Sequence, residues 1–512
     1  MREFDEDLEV ALSGGGFRAA AFGLGVLLYL VHSSLNQRVK TISSVSGGSI
    51  TNGFVAQKCD FASLKNAEEF KREIAKHLAE KICGNGRFWR YGGFWPVKSL
   101  FIALFLISGV ALLLWFLPMA TALLAQLIFR VELRAVSLYE LATFAATALV
   151  WAVAVLNREW LVWWWLSWTF FGDNRTLGAL SKRSVDHVFC ATDLNASRPF
   201  FFSTKGEGRV FSEIYGRGDG QNEKLADAVR ASAAFPPAIP PMHFKLHNRK
   251  FTGWKDAPRT IVLSDGGVWN NLGTDWSRLR SALLAAEMNW SKRTGRNADD
   301  EAMIEAQANC LLTGVLLVAN ASKPDKPNLY EQVRQKVPGL AASSTVLRVI
   351  SAALSSTVAG RSIDVERSVR MRMLDDPRRW ELEQETPQHQ GTARSGTEGT
   401  AAPLAVLVEM TRKPGETAKA YKDAKGPPHW ERKADEYASQ LTQPLEGLKP
   451  LLNGEDTVPT TFDNLGHERT LRLIVLGYLN TRETLAVVFA NHNPPAIPRR
   501  EWFEELLPGR VG

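Results

Sequence analysis

The sequence predicts an α/β protein with a mostly parallel central sheet, interrupted by a transmembrane helical hairpin. Two short apolar runs, residues 8–12 and 41–45, each lead through glycines into a stretch with helical character. A strand, a tight turn and a helix, repeated, are typical of parallel βαβ units. The hairpin is predicted by two long apolar runs between residues 99 and 156.

Other apolar runs predict later strands of the same sheet, at residues 186–191, 260–263 and 311–320. Residues at about 384–404 are polar, aperiodic and rich in Gly and Thr, which is typical of a disordered loop. We therefore expect four regions in the 512 residues. They are a first α/β part (1–93), an inserted membrane segment (94–173), a second α/β part (174–330) and a C-terminal extension (331–512).

The inserted segment has the composition of membrane-spanning helices. Residues 99–117 carry no charge, and residues 135–156 carry a single one, Glu140. At 1.5 Å per residue, each run can cross a hydrocarbon core of roughly 30 Å. Buried core helices are the alternative, but runs this long without charge are rare in soluble cores. Residues 119–129 could be transmembrane, re-entrant or interfacial, and the Trp-rich residues 160–171 are expected at the membrane interface.

A candidate nucleophile lies at the second glycine turn. Ser46 stands in Ser-Val-Ser-Gly-Gly, directly after a predicted strand and before a predicted helix. This resembles the G-x-S-x-G elbow, in which small flanking residues let the backbone fold sharply and expose the serine. Ser44 takes the place of the first glycine, and Gly48 keeps the last. Ser43, Ser44 and Ser49 are weaker candidates, because the first two should lie within the strand and the third lacks a glycine two positions later.

Two other glycine motifs can complete such a site. Gly14, Gly15 and Gly16, in Ser-Gly-Gly-Gly-Phe-Arg, can present backbone N–H groups to an oxyanion near a helix N-terminus. The Lys and hydroxyl residue of a P-loop are missing there, which argues against a nucleotide. Asp265, in Ser-Asp-Gly-Gly, follows the predicted strand 260–263, where catalytic carboxylates emerge from α/β sheets.

These motifs, in this order, resemble the patatin-like phospholipases. A fourth stretch, Val-Arg-Ala-Ser-Ala-Ala-Phe-Pro-Pro at residues 229–237, resembles the A-x-x-A-S-x-A-x-P block that precedes the aspartate of that family. The likeness covers roughly residues 8–49 and 185–321, with a weaker echo near residues 477–484. It implies a patatin-like three-layer α/β/α catalytic domain, formed by the two α/β parts.

The resemblance also implies roles for individual residues. Ser46 matches the nucleophile of the family and Asp265 its base. Arg18 matches the basic position that accompanies the oxyanion loop and is expected to bind substrate. Gly14, Gly15 and Gly16 match the oxyanion loop itself. The implied chemistry is acyl transfer through an acyl-serine, which requires no metal and no diffusible cofactor. An aspartate needs partial burial to act as the base, because its proton affinity in water is low.

The charge distribution predicts the location of the site. Ser46 and Asp265 lie on either side of the insertion and must meet, so the chain must cross the bilayer an even number of times. The segment between the two apolar runs offers only Arg130 and Arg134. The flanking basic residues are Lys81, Arg87, Arg90, Lys98, Arg158, Arg175, Lys182 and Arg183. The positive-inside rule then predicts an integral membrane protein with its catalytic domain on the cytoplasmic side.

Membrane lipids are the expected partners, with phospholipids or lysophospholipids as substrates. The formal net charge of +7 suits an anionic membrane surface as well as nucleic acid. The sequence lacks a dense basic stripe with interleaved aromatics, however, so no nucleic acid is expected.

Two other functions stay open from the residues alone. The first is a Ser-Asp-His α/β-hydrolase, in which the histidine would follow Asp265 in the chain. The candidates are His389, His429, His467 and His492, of which His492 is the best placed. The second is a catalytically silent, membrane-anchored scaffold that binds lipid or protein. Such a scaffold would not need both Ser46 and Asp265.

Overall fold

Among the residues that the computed structural model of the chain describes, ten strands form one sheet. The structure describes residues 7–84, 158–172, 175–205, 208–212, 214–235, 239–247, 249, 251, 258–277, 315–321, 404–423, 428–452, 464–489 and 492–507. The strands are β1 (Leu8–Leu12), β2 (Val39–Ser44), β3 (Asp186–Asp193), β4 (Arg198–Ser203), β5 (Arg209–Ser212), β6 (Gly216–Asp219), β7 (Met242–Lys245), β8 (Thr260–Asp265), β9 (Val315–Asn320) and β10 (Leu404–Glu409).

The described helices are interspersed with these strands as far as β10, and the last four of them follow β10. They are α1 (Gly16–His32), α2 (Gly47–Lys58), α3 (Ala67–Phe70), α4 (Lys76–Cys83), α5 (Arg158–Leu166), α6 (Leu177–Leu180), α7 (Leu225–Ser232), α8 (Gly267–Asn270), α9 (Glu416–Asp423), α10 (Pro428–Leu452), α11 (His467–Val488) and α12 (Arg500–Glu504). The predicted α/β class is therefore confirmed.

The sheet is mixed, and the expectation of a mostly parallel one was wrong. Strands β10, β9, β1, β2 and β3 are parallel neighbours in that order. From β3 onward, β4, β5 and β6 pair antiparallel, as do β7 and β8. The physical reason lies in the connections: short links such as the one between β3 and β4 join antiparallel strands, whereas parallel strands need long crossovers.

The register along β3 brings the ends of two distant strands together. β4 occupies one edge of β3 over its whole paired length. On the other edge, β2 pairs with the first half, as far as Ser44 opposite Phe189, and β8 pairs antiparallel with the second half, with Asp265 opposite Ala191. Strands β2 and β8 therefore point toward each other along the same edge. The residues that follow β2 must lie next to the end of β8.

The C-terminal part contributes directly to this sheet and its core. β10 pairs with β9 in parallel, and α11 packs along α1. Residues from both ends of the chain share one hydrophobic core, among them Leu12, Phe22 and Leu479. Of the predicted disordered loop at about 384–404, only Leu404 is described, and it begins β10.

Helices α1 and α11 approach each other at two glycines. A side-chain carbon built on Gly25 would overlap the backbone carbonyl of Ile474, and one built on Gly477 would overlap that of Phe22. Backbone cannot move aside as the end of a flexible side chain can. This close crossing explains why α1 is buried on all sides from Gly16 to Val31.

We expect Gly477→Ala to lower the free energy of unfolding by about 1–3 kcal/mol, because the methyl group forces α11 away from α1. Denaturant unfolding measures this. The matched control is Gly447→Ala in α10, where nothing lies within 4 Å of the added carbon and alanine favours the helix. If both substitutions have the same effect, the close crossing is not what Gly477 provides.

The predicted membrane runs, residues 99–117 and 135–156, lie outside the described residues, as do residues 119–129. Among the helices that the structure does describe, none combines the length and apolarity needed to cross a membrane. The Trp-rich residues 160–171 form most of α5 and a following π-helical turn, Ser167–Phe171. Phe170 and Phe171 are buried in the core, whereas Trp164 and Trp168 are exposed. The interfacial location of this segment stays a prediction.

Candidate active site

Ser46 lies on a strained elbow between β2 and α2. Its φ of 51° and ψ of −119° are rare for a residue with a side chain. The turn is possible because its neighbours are glycines: a side-chain carbon on Gly47 would overlap the carbonyl of Gly16, and one on Gly48 would lie 2.6 Å from the carbonyl oxygen of Leu12. Ser46 keeps 6% of its surface exposed.

Asp265 ends β8 directly beside this elbow. Its buried carboxyl group accepts a hydrogen bond from the backbone N–H of Gly267 at 2.7 Å, and the Ser46 side chain lies beside it. Burial raises the pKa of Asp265 to about 6, and the interactions with the Ser46 hydroxyl and the Gly267 N–H oppose part of that rise. A side-chain carbon on Gly267 would lie 2.9 Å from the Asp265 carboxyl oxygen, so the glycine lets its N–H reach the carboxylate. The structure thus brings the two predicted catalytic residues together.

The stretch after α7 holds the nucleophile turn and the aspartate turn in place. The carbonyl of Ser232 accepts the backbone N–H groups of Ser46, at 3.1 Å, and of Gly266, at 3.2 Å. The next carbonyl but one, of Ala234, accepts the N–H of Asp265 at 2.9 Å. The A-x-x-A-S-x-A-x-P block therefore has a structural role: its backbone carbonyls hold the Ser46 turn and the Asp265 turn next to each other. Residues 236 and 237 of the block lie outside the described residues.

A buried hydroxyl network supports the elbow from below. The Ser232 hydroxyl accepts the Ser46 N–H at 3.1 Å, donates to the Cys190 carbonyl at 2.7 Å and lies 2.8 Å from the Ser49 hydroxyl. The Ser44 hydroxyl donates to the Val188 carbonyl and accepts from Ser49, both at 3.0 Å. Ser44, where the usual motif has glycine, is therefore a member of this network. Ser49, the rival nucleophile, is fully buried within it.

We expect Ser232→Ala to lower kcat about 10- to 100-fold with little change in KM, because small displacements of a nucleophile are costly. Steady-state kinetics on a soluble ester measure kcat and KM separately. Ser49→Ala is the matched control: it loses a buried hydroxyl of the same network but no contact with the Ser46 backbone. It should lose stability, by about 1–3 kcal/mol, more than kcat. Equal kinetic effects would rule out a positioning role for Ser232.

The glycine loop lies against the elbow, but its three N–H groups are not equivalent. The N–H of Gly14 donates to the Asn271 carbonyl at 2.9 Å and is therefore occupied. Gly15 and Gly16 have φ values of 143° and 61°, which only glycine adopts easily. Gly16 begins α1 and Gly47 begins α2, and the first N–H groups of a helix have no acceptor within it. Gly15, Gly16 and Gly47 therefore fit an oxyanion better than Gly14 does.

Arg18 lies in the first turn of α1 with only 4% of its surface exposed. One terminal guanidinium nitrogen lies 3.2 Å from the position that a side-chain carbon of Gly15 would occupy. The charge is thus held against the oxyanion loop. Its predicted role in substrate binding stays a prediction.

The candidate histidines of a triad lie elsewhere. His492 Nε2 lies 2.7 Å from the hydroxyl of Tyr29, which is about 20 Å along α1 from Gly16. The rings of His429 and His467 hydrogen-bond to the carbonyls of Val488 and Leu507. His389 lies outside the described residues. In the part of the chain that the structure describes, these contacts give no support for a Ser-Asp-His triad at Ser46.

We expect His492→Ala to retain esterase activity. The ring is buried, and burial together with the positive charges of Arg482 and Lys433 lowers the pKa of His492 to about 4. It is therefore neutral at pH 7 and packs against Tyr29, so the substitution should reduce stability but not kcat. Initial rates at a temperature well below the unfolding midpoint measure this. A loss of activity in folded protein would restore the triad.

Sequence reasoning missed three contributors to the site: Ser232, Asn271 and the N–H of Gly47. The N–H of Gly47 could have been inferred from its position after the nucleophile, since that N–H serves the oxyanion in other serine hydrolases. Asn271 carries no local signal. In the part of the chain that the structure describes, no group of three or more His, Cys, Asp or Glu side chains could hold a metal ion.

Comparisons with solved structures give distant likenesses. The chain is 12% identical to human GIVD cytosolic phospholipase A2 (TM-score 0.38), covering 94% of this chain and 59% of that one. It is 12% identical to VipD from Legionella pneumophila (TM-score 0.25; 99% and 92% covered). It is 16% identical to a chain of the complex of full-length SpcU with full-length ExoU from the type III secretion system of Pseudomonas aeruginosa (TM-score 0.18; 96% and 91% covered). The chain thus spans only 59% of the human enzyme, and no functional conclusion rests on these scores.

No curated protein sequence matches the chain significantly. The family model of patatin-like phospholipases, in contrast, matches residues 10–275. That range is more than half of the chain and extends from the glycine loop past Asp265. The resemblance inferred from the motifs is confirmed, and the chain belongs to the patatin-like phospholipase family, a family of lipid acyl hydrolases.

Proposed function

We propose that the protein is a membrane-associated lipid acyl hydrolase of the phospholipase A or lysophospholipase type, with Ser46 as nucleophile and Asp265 as base. One observation carries the proposal: a serine on a strained elbow lies beside a buried carboxyl group whose pKa is raised to about 6, and the serine hydroxyl opposes part of that rise. A nucleophile and a base within reach of each other are the minimal requirement for covalent acyl transfer.

The first half-reaction forms the acyl-enzyme. Asp265 takes the proton of Ser46 as Oγ attacks the ester carbonyl carbon, and the carbonyl electrons move to its oxygen. The oxyanion faces the N–H groups of Gly15, Gly16 and Gly47. Two of these begin helices α1 and α2, so the positive ends of both helix dipoles favour the developing charge. When the carbonyl re-forms, the ester C–O bond breaks and Asp265 returns the proton to the leaving alkoxide.

The second half-reaction regenerates the enzyme. Asp265 removes a proton from water, and the resulting hydroxide equivalent attacks the acyl-Ser46 carbonyl. The tetrahedral intermediate uses the same three N–H groups. Its collapse expels Ser46 Oγ, which takes the proton back from Asp265 and releases the fatty acid. A carboxyl group with a pKa near 6 can both accept and return a proton near neutral pH.

The proposal of a membrane hairpin rests on the sequence and is supported by the ends of the insertion. Lys81, near the end of α4, donates a hydrogen bond to the carbonyl of Thr169, after α5. The segments that precede and follow the two runs in the sequence thus lie together, as an even number of crossings requires. With the basic residues concentrated outside the two runs, we propose an integral membrane protein whose catalytic domain faces the cytoplasm.

Attachment to a bilayer favours glycerophospholipids over soluble esters, because it raises the local concentration of lipid. Lipid mass spectrometry tests the proposal. Phospholipid vesicles containing the full chain should accumulate free fatty acid and the matching lysophospholipid, whereas vesicles with the Ser46→Ala variant should not. Equal lipid profiles for the two proteins would contradict a lipid acyl hydrolase.

A further inference from the structure

Two stacked tryptophans stand out on the surface, remote from the nucleophile. Trp164 and Trp168 lie one helical turn apart in α5 and the π-helical turn that follows it, with ring centroids 5.5 Å apart and planes inclined by 5°. Their exposed fractions are 39% and 54%, and in the described part of the chain only Leu194 is a further large exposed hydrophobic residue. Indole rings exposed in this way are typical of lipid–water boundaries.

Trp168 also forms one wall of a pocket of about 280 Å³. The floor includes Phe54 and Phe170, and three cationic or titratable side chains line it: Lys58, His77 and Lys81. The pocket therefore combines an indole, a small apolar floor and basic groups. It is close to the lower end of ligand-pocket sizes, roughly 300 Å³.

The basic groups can serve a phosphate. The Lys58 ammonium lies 5.9 Å from the centre of the Phe54 ring on an exposed part of the surface. Lys81 donates to the carbonyl of Thr169 and has three donors, and His77 lies 3.9 Å from Glu80. The two lysines also offset the negative ends of helices α2 and α4, whose last turns contain them.

The position of the pocket indicates its ligand. Lys81 lies in the last turn of α4, and Trp168 lies in the π-helical turn that follows α5. The residues between these two helices contain both of the runs proposed to cross the bilayer. On that proposal, we expect the pocket to lie at the level of the phospholipid head groups.

We propose that this pocket binds the phosphate of an anionic phospholipid at the bilayer surface, with Lys58 and Lys81 as the cationic groups and the stacked indoles of Trp164 and Trp168 at the boundary. It is distinct from the catalytic site. Ser46 precedes the first residue of α2 and Lys58 is its last, so a helix of about 18 Å separates them. The site holds the domain in one orientation at the surface and does not contact the scissile ester.

Head-group photolabelling tests this inference independently of hydrolysis. The full-length Ser46→Ala protein is placed in phosphatidylcholine vesicles that contain phosphatidylglycerol with a photoreactive group on its head group, and adducts are mapped by peptide mass spectrometry. Adducts are expected on the peptides that contain Lys58 and Trp168. Lys58→Gln should lower this labelling about fivefold, the effect of one basic residue near an anionic surface. Lys245→Gln, an equal charge change on exposed strand β7, should leave it unchanged.

Three results would overturn the inference. The first is labelling that is confined to other peptides. The second is equal labelling by a phosphatidylcholine probe that carries the same photoreactive group. The third is full competition by soluble glycerol phosphate, because that result would indicate a site for free anions. Trp168→Ala provides a second variant, and unchanged thermal unfolding verifies that both variants fold. Because Ser46 is already replaced, a failure of the proposed hydrolase activity would not affect the outcome.

Discussion

Replacing Ser46 by alanine is expected to lower the rate of acyl-ester hydrolysis at least about 10⁴-fold, because no other group can form the acyl intermediate. The variant should fold, since the hydroxyl is removed while the backbone bonds from the Ser46 N–H to Ser232 stay in place. Release of a chromophore from a soluble ester measures the rate. The carboxyl group of Asp265 loses its interaction with the Ser46 hydroxyl, which should raise its pKa further.

The matched control is Ser43→Ala, two positions inside β2. Its hydroxyl donates a hydrogen bond to the carbonyl of Gly273 at 2.8 Å and is buried. This variant should keep its activity and lose some stability. If Ser43→Ala and Ser46→Ala were equally inactive while folded, damage to the elbow, and not loss of the nucleophile, would be the explanation.

Asp265→Asn is expected to reduce activity about 10²- to 10⁴-fold and, at the same time, to stabilise the protein at neutral pH. An amide can still accept the Gly267 N–H but cannot take a proton from Ser46. Burial raises the pKa of Asp265 to about 6, from an ordinary value near 3.8. The folded state thus favours the protonated carboxyl, and this contribution to stability is complete below about pH 4 and is lost as the pH rises through 6.

The pH dependence of stability distinguishes the effect of removing a buried carboxylate from a general effect of the substitution. Thermal unfolding should show Asp265→Asn more stable than the wild type by about 1–3 kcal/mol at pH 7, with the difference vanishing near pH 4. In the wild type, kcat/KM should rise with pH through about 6, as the base loses its proton. Mass spectrometry must verify that the amide persists, because the variant creates an Asn-Gly sequence. A variant that is destabilised at pH 7 would contradict a desolvated carboxylate.

The two catalytic candidates could be found from the sequence because each follows a short apolar strand and precedes a glycine. Their predicted roles required them to meet, but the sequence did not show how the fold brings them together. Their proximity depends on the register along β3, which places the ends of β2 and β8 on one edge, and pairing register is a long-range property. The expectation of a mostly parallel sheet was wrong for a different reason: β4, β5 and β6 are short antiparallel strands, and no strong periodic signal in the sequence indicated them.

The supporting residues illustrate a second limit. Ser44 looked like a departure from the motif, and only the fold gives it partners, the carbonyl of Val188 and the hydroxyl of Ser49. Gly14 belongs to the glycine loop by sequence, yet its N–H is taken by Asn271, more than 250 residues later in the chain. The C-terminal region was expected as an extension, whereas β10 and α11 complete the sheet and cover α1. In all three cases, contacts between segments that are far apart in the sequence determine the structural role.

The most direct test of the central claim is the site of labelling by a fluorophosphonate probe. The phosphorus of such a probe bonds to the hydroxyl oxygen of an activated serine as fluoride leaves, so it reports the nucleophile without any assumption about the lipid. The account predicts a single adduct on the peptide that contains Ser46, formed more slowly in Asp265→Asn and below pH 6. An adduct on Ser49 or on another serine, or no adduct in folded protein at any pH, would contradict it.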